Sequence, residues 1–599
     1  MRERQQTTEE AKPVNGQQTT DNGLCLSIVT ALTVQRSPFN LHSARFRLPF
    51  TVNRLIILRK VPLTVQRSPL TDLERSTLTF NRLFMKRILF PLLLLSTPLI
   101  AQDIYRMESF TANDLNGTAR FVGMGGAMGA LGADISVMGT NPAGIGLYRK
   151  SEISTTASLT AQPHAEKFND IDRTRASFDQ LGFVYALNVG DTFDGLRFMN
   201  VGVNYQKSRN FKNHINIQNF ATGGLSQSWQ MMDLAYSGGW LDLYYDEDRE
   251  LTTPFTNLGY DTQLIAPTFD NEGYVNGYEP SDADSYTYRR VQWGGNHEWD
   301  FNVAANINDR LYVGITAKYF FMNQKTYTDY SEMLINPSDN SLHEYFYLND
   351  EQTEGEGYSG SLGVIFRPIE SSPFRVGFSI HMPTYYEIEA SSDLYMETPY
   401  ASGSYDYSAQ SDRVFNSYEM RTPWRFNVSM GGTVSNFFAY GAEYEYYDAS
   451  AMRVTYDHGL YKDHALKREA DRCLQGVHTL RLGAELRLID GLYARAGYNY
   501  QSSPFKSSAY LNQFLDSSNY YYSTNTDYIN LGDLQRVTAG VGYRSGSWYA
   551  DMSYQYQTQT ADVYAFHLPE SNSNTANRLQ AAQVNLDRHN VQFTVGYKF

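Results

Sequence analysis

In the final stretch, Arg588 to Phe599, Val591, Phe593, Val595, Tyr597 and Phe599 share one parity, while Gln592, Thr594, Gly596 and Lys598 share the other. That period of two is the mark of a strand with one apolar and one polar face. The same pattern recurs along the chain. Leu480, Leu482, Ala484, Leu486 and Leu488 alternate with Arg481, Gly483, Glu485 and Arg487. Phe374, Val376, Phe378 and Ile380 alternate with Arg375, Gly377, Ser379 and His381, and Phe438, Tyr440, Ala442, Tyr444 and Tyr446 with Ala439, Gly441, Glu443 and Glu445. Fourteen such segments begin near Glu152, Phe178, Leu196, His297, Arg310, Gly357, Pro373, Thr422, Asn436, Gly476, Gly491, Leu534, Ser547 and Arg588. Strands with charge on one parity only suit a membrane barrel whose other face meets lipid.

The connections between these segments alternate. Those near Asp191, Asn308, Ile369, Ser435, Ile489 and Gly546 are short, and the intervening ones are long, the longest running from Asn210 to Gly295. Outer-membrane barrels have short periplasmic turns and long external loops, and an even strand count puts both termini on the periplasmic side. The expectation is an all-β fold: a 14-stranded antiparallel transmembrane β-barrel over residues 151–599.

Composition narrows the picture further. The chain has 46 Tyr and 33 Phe, yet its mean hydropathy is −0.45, as strands with one greasy face would give. The one long apolar run, Ile88 to Ile100, is too short for a spanning helix. With Met85, Lys86 and Arg87 before it and Ala101 after it, residues 85–101 read as a secretory signal peptide. No Cys follows Ala101 directly, so a lipoprotein anchor is not expected. Residues 1–84 repeat LTVQRSP at Leu32 to Pro38 and Leu63 to Pro69 without a structural period, and read as a spurious or disordered extension. The part after the signal holds 36 basic and 58 acidic residues, a net charge of −22 that argues against nucleic-acid partners. Cys473 is its one cysteine, so no internal disulfide is available. Stability should come instead from a closed barrel that pairs every backbone group inside lipid.

Residues 102–150 lack a strand period and are dense in glycine: Gly123, Gly125, Gly126, Gly129, Gly132, Gly139, Gly144 and Gly146. Such a segment can pack tightly in a confined space, as a plug would. A phosphate-cradling loop fits badly, because no strand precedes these glycines and no Lys-Ser/Thr follows them. The run from Ala119 to Leu147, with Asn141, Pro142, Ala143 and Gly144, resembles the N-terminal hatch of FadL-type outer-membrane transporters of long-chain fatty acids and other hydrophobic compounds. Phrases such as YSGSLGVIFRPIESSPFRVGFSI and LRLGAELRLIDGLYARAGYNY resemble the paired strands of those barrels, and so does the terminal Phe599. The resemblance implies a hatch plugging a 14-stranded barrel. It makes Asn141 to Gly144 and Gly123, Gly125, Gly126 and Gly129 the gating elements.

Within the long connection, Trp229, Met232, Leu234, Trp240, Tyr244 and Tyr245 form an apolar cluster. It is read either as an external capture site for greasy ligands, as the resemblance implies, or as a self-packed core over the barrel mouth. Inward charges, Arg375, Arg425, Glu443, Arg481, Glu485 and Arg495 with Glu445, Arg487, Asp300 and Asp551, are read as a polar channel lining or as ties that hold the plug. No catalytic constellation is expected: Gly357-Tyr358-Ser359-Gly360-Ser361 misses the nucleophile-elbow spacing. His297 and Trp299 fall on the face opposite Glu298 and Asp300, so no metal site forms there, and no cofactor is expected.

The functional expectation is a monomeric outer-membrane channel for passive uptake of fatty acids or other hydrophobic small molecules. Its partners would be outer-membrane lipid, the ligand, and barrel-assembly machinery reading the strand that ends at Phe599. The alternatives are a haem or aromatic-compound receptor on the same scaffold, and a structural or adhesive barrel with Tyr-rich loops.

Overall fold

A computed structural model describes residues 104–599 except 164, 166–167, 169–170, 191–194, 238–242, 244–252, 400–405, 512–525 and 568–578. Fourteen strands form the wall: β1 Glu152–Ala161, β2 Thr174–Asn188, β3 Leu196–Asn210, β4 Asp282–Ile307, β5 Leu311–Ile335, β6 Leu342–Phe366, β7 Arg375–His381, β8 Arg425–Val434, β9 Phe438–Asp448, β10 Gly476–Ile489, β11 Leu492–Gln501, β12 Tyr528–Ser545, β13 Trp548–Tyr564 and β14 Arg588–Lys598. Each pairs antiparallel with the next. β14 closes the ring on β1, from Glu152 opposite Lys598 to Ala161 opposite His589.

Side-chain burial confirms the parity argument. Outward positions such as Phe301, Val303, Leu480, Leu482, Val537, Val541 and Phe593 are exposed although apolar, while their inward neighbours Asp300, Asn302, Arg536, Thr538, Gln592 and Thr594 are buried although polar. A water-soluble fold would have the opposite distribution. The interior polar groups need partners, and the wall residues supply them to one another and to the segment inside.

Several strands run beyond the expected starts. β4, β6 and β12 begin at Asp282, Leu342 and Tyr528, at the long-loop end. Here the parity inverts, for a physical reason. Above the lipid the outer face meets water and the inner face meets a mouth core, so Tyr286, Tyr288, Tyr330, Tyr345 and Tyr347 point inward and are buried. The connection between Asn210 and Gly295 is accordingly ordered in large part: strand Asn213–Ala221, helices Gln227–Ser237 and Pro254–Asp261, and the hairpin Ala266–Phe269 with Val275–Glu279. β7 and β8 are both interrupted at proline, Pro383 and Pro423, where a ladder donor is lost. Their continuations, Tyr385–Pro399 and Val414–Arg421, pair with each other beyond the break.

The wall is not paired throughout. β2 and β3 are in register from Asn188 opposite Phe198 to Gln180 opposite Gln206, and there the pairing stops, although β2 continues to Thr174 and β3 to Asn210. The complete backbone pairing expected of a closed barrel therefore fails at one seam. Two bulges cause the failure: one in β2 against β1, at Gln180/Phe178, and one in β3 against β4, at Lys207/Arg209. Each extra residue bends its strand and leaves it unpaired on one side.

Candidate functional site

Residues 118–148 lie against the inner wall toward the short-turn end. Thr118 caps helix Ala119–Gly123, and Asp134 caps the 3-10 turn Ile135–Gly139. Asn141 caps the next one, Pro142–Leu147: its Oδ1 accepts from the Ala143 N–H at 3.2 Å, and Pro142 takes the first helical position, where no N–H is needed. The Asn-Pro-Ala sequence is thus a complete helix start. It seats in a recess made by wall glycines. A Cβ on Gly314 would lie 2.5 Å from the Pro142 carbonyl, and one on Gly363 would lie 2.1 Å from Asn141 Oδ1. The glycines of the segment also touch the wall: Gly123 O accepts from Thr538 Oγ1 (3.2 Å), Gly125 O from Asn499 Nδ2 (3.4 Å), and Gly129 N–H donates to Glu443 Oε2 (2.9 Å). A Cβ on Gly126 would meet Leu115 at 2.9 Å.

The inward charges converge on this segment. Glu485 accepts from Arg120 (3.0 Å) and from Arg495 (2.7 Å), and Arg495 reaches Asp551 (2.6 Å). Arg481 bridges Glu443 and Glu445, and Arg425 pairs with Glu445 (3.1 Å) and also reaches the Thr111 carbonyl. Arg375 Nη1 donates to Leu131 O (3.0 Å). Arg487 stands apart, paired with Asp490 beside a short turn. These contacts give the tie role direct geometry. Arg120 is held well above its usual range: burial opposes its charge, but Glu485, Asp134 and Asp551 outweigh that.

Above this lies helix Ile104–Thr111, in the long-loop half. Tyr105 stacks on Phe505 at 4.9 Å, Phe110 packs edge-on against Phe211, and Arg106 pairs with Glu351. Two cavities flank residues 104–116. The inner one is lined by Asp114, Glu298, His381, Arg425, Arg481 and Arg536 among others, and is polar. The outer one is a cavity of about 110 Å³ that opens to solvent. Its wall is two-sided: Tyr105, Phe211, Phe505 and Leu586 on the apolar part, and Arg106, Arg209, Arg290 and Arg588 with Glu108, Glu351 and Asp527 on the charged part, where Arg106 pairs with Glu351 and Arg290 with Asp527. Glu108, fully buried there, is pushed up by desolvation against the pull of Arg209 and Arg425.

The open β2–β3 seam sits beside these cavities. Plug residues occupy the backbone positions that β2 leaves: Asn116 Nδ2 donates to Lys207 O (2.9 Å), Asp114 N–H to Ser208 O (2.9 Å), and Asn210 N–H donates to Asp114 Oδ2 (2.9 Å). Burial raises the Asp114 carboxyl, but Arg209, Arg536 and Arg588 win and hold it below the usual range. Across the gap Phe178 stacks on Tyr205 at 5.7 Å and the Lys207 ammonium meets the Ser177 hydroxyl. Farther out, the Gln162 amide stands in for a strand, donating to His214 O (2.9 Å) and accepting from the His214 N–H (3.1 Å). Lys212, at 3% exposure, lies between, its Nζ without a hydrogen-bond partner among the described residues. The sequence reading missed this window, since strand pairing between distant segments leaves no local pattern.

In the long connection, Met231 is fully buried and Trp229, Met232 and Leu234 pack against a mouth core with Phe255, Leu258, Tyr286 and Phe566. Trp229 Nε1 donates to Asp282 (3.0 Å). Trp240, Tyr244 and Tyr245 lie outside the described residues. His297 and Glu298 point to opposite faces as expected: His297 stacks on Phe321 at 4.7 Å, whereas Glu298 and Asp300 share Lys318 inside.

No family model and no curated protein matches the chain. Among solved structures it is similar to a Pseudomonas aeruginosa FadL homologue, at 13% identity and TM-score 0.44 over 82% of this chain and 100% of that one. It is also similar to the Ralstonia pickettii toluene transporter TbuX, at 12% identity and TM-score 0.41 over 81% and 99%. The P. putida toluene transporter TodX gives 12% and 0.43 over 81% and 99%.

Proposed function

We propose that the chain is an outer-membrane channel for passive uptake of hydrophobic small molecules that carry an anionic head, with long-chain fatty acids the foremost candidates. Ligand enters the outer cavity, its apolar body against Tyr105, Phe211 and Phe505 and its head toward Arg209 and Arg588. It leaves sideways through the β2–β3 window when residues 113–116 withdraw. In this reading the glycine-seated turn Asn141 to Gly144 is the fixed footing of the hatch and the stretch above it the moving part. The short turns face the periplasm, and assembly machinery reads the strand ending at Phe599.

The observation that carries the reading is the stopper: a wall left open by two bulges, whose backbone groups are satisfied by plug residues rather than by the neighbouring strand. A neutral aromatic hydrocarbon would make less use of the arginines. Haem fits less well, since no His, Cys or Met is among the described residues that line the outer cavity.

The test is a tether. With Cys473→Ser as background, Asn116→Cys and Ser208→Cys are oxidised and uptake of labelled oleate is followed in cells lacking other fatty-acid channels. Uptake is expected to fall at least tenfold and to return on reduction. Undiminished uptake by a channel shown to be cross-linked overturns the window. Growth on oleate, an aromatic acid or haemin after deletion then identifies the cargo, and loss of adhesion with normal uptake would favour a structural role.

A further inference from the structure

Three outward-facing Tyr–His pairs repeat one geometry around the barrel. Tyr205 Oη lies 2.7 Å from His297 Nδ1, Tyr444 Oη 2.7 Å from His478 Nδ1, and Tyr554 Oη 2.7 Å from His589 Nδ1. In each, the tyrosine sits one outward step closer to the short turns than the residue directly opposite the histidine. Those opposite residues are Lys207, Tyr446 and Tyr556. Each imidazole also packs on a further ring: His297 on Phe321 at 4.7 Å, His478 on Tyr446 at 5.1 Å, His589 on Tyr556 at 5.2 Å.

The three share a height. His297, His478 and His589 lie 10 to 11 residues above the short-turn ends of their strands at Ile307, Ile489 and Phe599. At about 3.3 Å per residue and a tilt near 40°, that is about 25 Å, the height of the lipid-facing apolar band. Below them the outward residues are Phe301 and Val303, Leu480 and Leu482, and Val591 and Phe593. Phenol is the better proton donor and a neutral imidazole nitrogen the better acceptor, so the phenol donates to Nδ1. That fixes the proton on Nε2, across the ring from the tyrosine. Each pair thus presents one N–H at the upper edge of the apolar band.

We propose that these pairs form a girdle that binds the phosphate groups of outer-leaflet lipid. The inference rests on the membrane-barrel reading but not on the cargo. Phosphate oxygens are strong acceptors for such an N–H. Distribution over β3/β4, β9/β10 and β13/β14 spreads the sites around the circumference, as a lipid annulus requires and a docked protein would not. At the third pair an outer-wall groove is lined by Val537, Ala539 and Tyr554 below His589, with Tyr556 level with the histidine and Asp587 above it, a shape for an acyl chain with its head at the histidine.

The test compares the purified barrel with its H297F/H478F/H589F variant, which keeps the ring stacks. Both are placed in nanodiscs containing diphosphoryl or dephosphorylated lipid A, and co-purifying lipid is read by native mass spectrometry. Folding of both is verified by the heat-dependent gel shift of an intact barrel. The expected result is a fivefold or greater loss of retained diphosphoryl lipid in the variant. A Y205F/Y444F/Y554F variant, which frees Nδ1, should lose part of it. Equal retention by wild type and the folded triple-histidine variant overturns the proposal, as does equal retention of the two lipids by wild type.

Discussion

Two seams of the wall differ in a way that bears on transport. β14 and β1 are in register over ten consecutive pairs, from Glu152 to Ala161, and the inner segment touches this already paired seam through side chains, Ala119 N–H donating to Thr594 Oγ1 at 2.8 Å and Gln592 Nε2 donating to Asn116 Oδ1. β2 and β3 pair over nine residues and then part, and the plug replaces the missing ladder with Asp114 and Asn116. A seam that satisfies itself is independent of the inner segment; a seam that needs another segment to satisfy it is coupled to that segment, because moving one changes both.

The largest effect should come from removing that segment's grip. Asp114→Ala with Asn116→Ala strips Lys207 O and the Asn210 N–H of their partners. At about 1–3 kcal/mol for each buried group left unpaired, the closed state should lose enough to raise permeability to small dyes severalfold in liposome flux assays. Gln162→Ala removes the two bonds to His214 that bound the window on its outer side. Its cost should be about 1–2 kcal/mol in thermal unfolding, with a smaller rise in flux. Thr594→Ala, at the sealed seam, should cost about 1 kcal/mol and leave flux unchanged. Equal leakage from Thr594→Ala and the Asp114 variant would abolish the distinction between the seams.

The smallest effects are those of pH, and they run in opposite directions. Asp114 is held below its ordinary range, so its contribution is present above that range and lost only as pH falls through the lowered value. Flux should be flat from neutrality to about pH 4 and rise below it. Asp233, on the helix Gln227–Ser237 in the mouth, is pushed up to about 6 by burial. Its ionisation opposes folding of that helix above pH 6, and the opposition is relieved between pH 6 and the ordinary carboxylate range. Hydrogen exchange of residues 227–237 should slow slightly on acidification over that interval.

The strand count and the ring were legible because lipid imposes one parity on every crossing segment: Leu480 to Leu488 or Val591 to Phe599 can face only one way. The starts of β4 and β6 were not, since Tyr286 and Tyr345 reverse that parity where water replaces hydrocarbon outside. Individual inward charges such as Glu443, Glu485, Arg495 and Asp551 were placed correctly by alternation, while the partners Arg120 and Gly129 depend on how the preceding segment folds in three dimensions. The window was hidden for the same reason: Asp114 and Asn116 carry no motif, and their meaning comes from two bulges far away in sequence.

The position of the plug constrains the order in which the molecule is built. Residues 104–150 occupy the bore and lead directly into β1, the strand that meets β14 last. Like staves drawn up around a core already in place, the first and last strands can be hooped together only once their occupant has been admitted. A pulse-chase experiment should therefore find protease resistance of the leader appearing no later than the heat-resistant form of the finished cylinder.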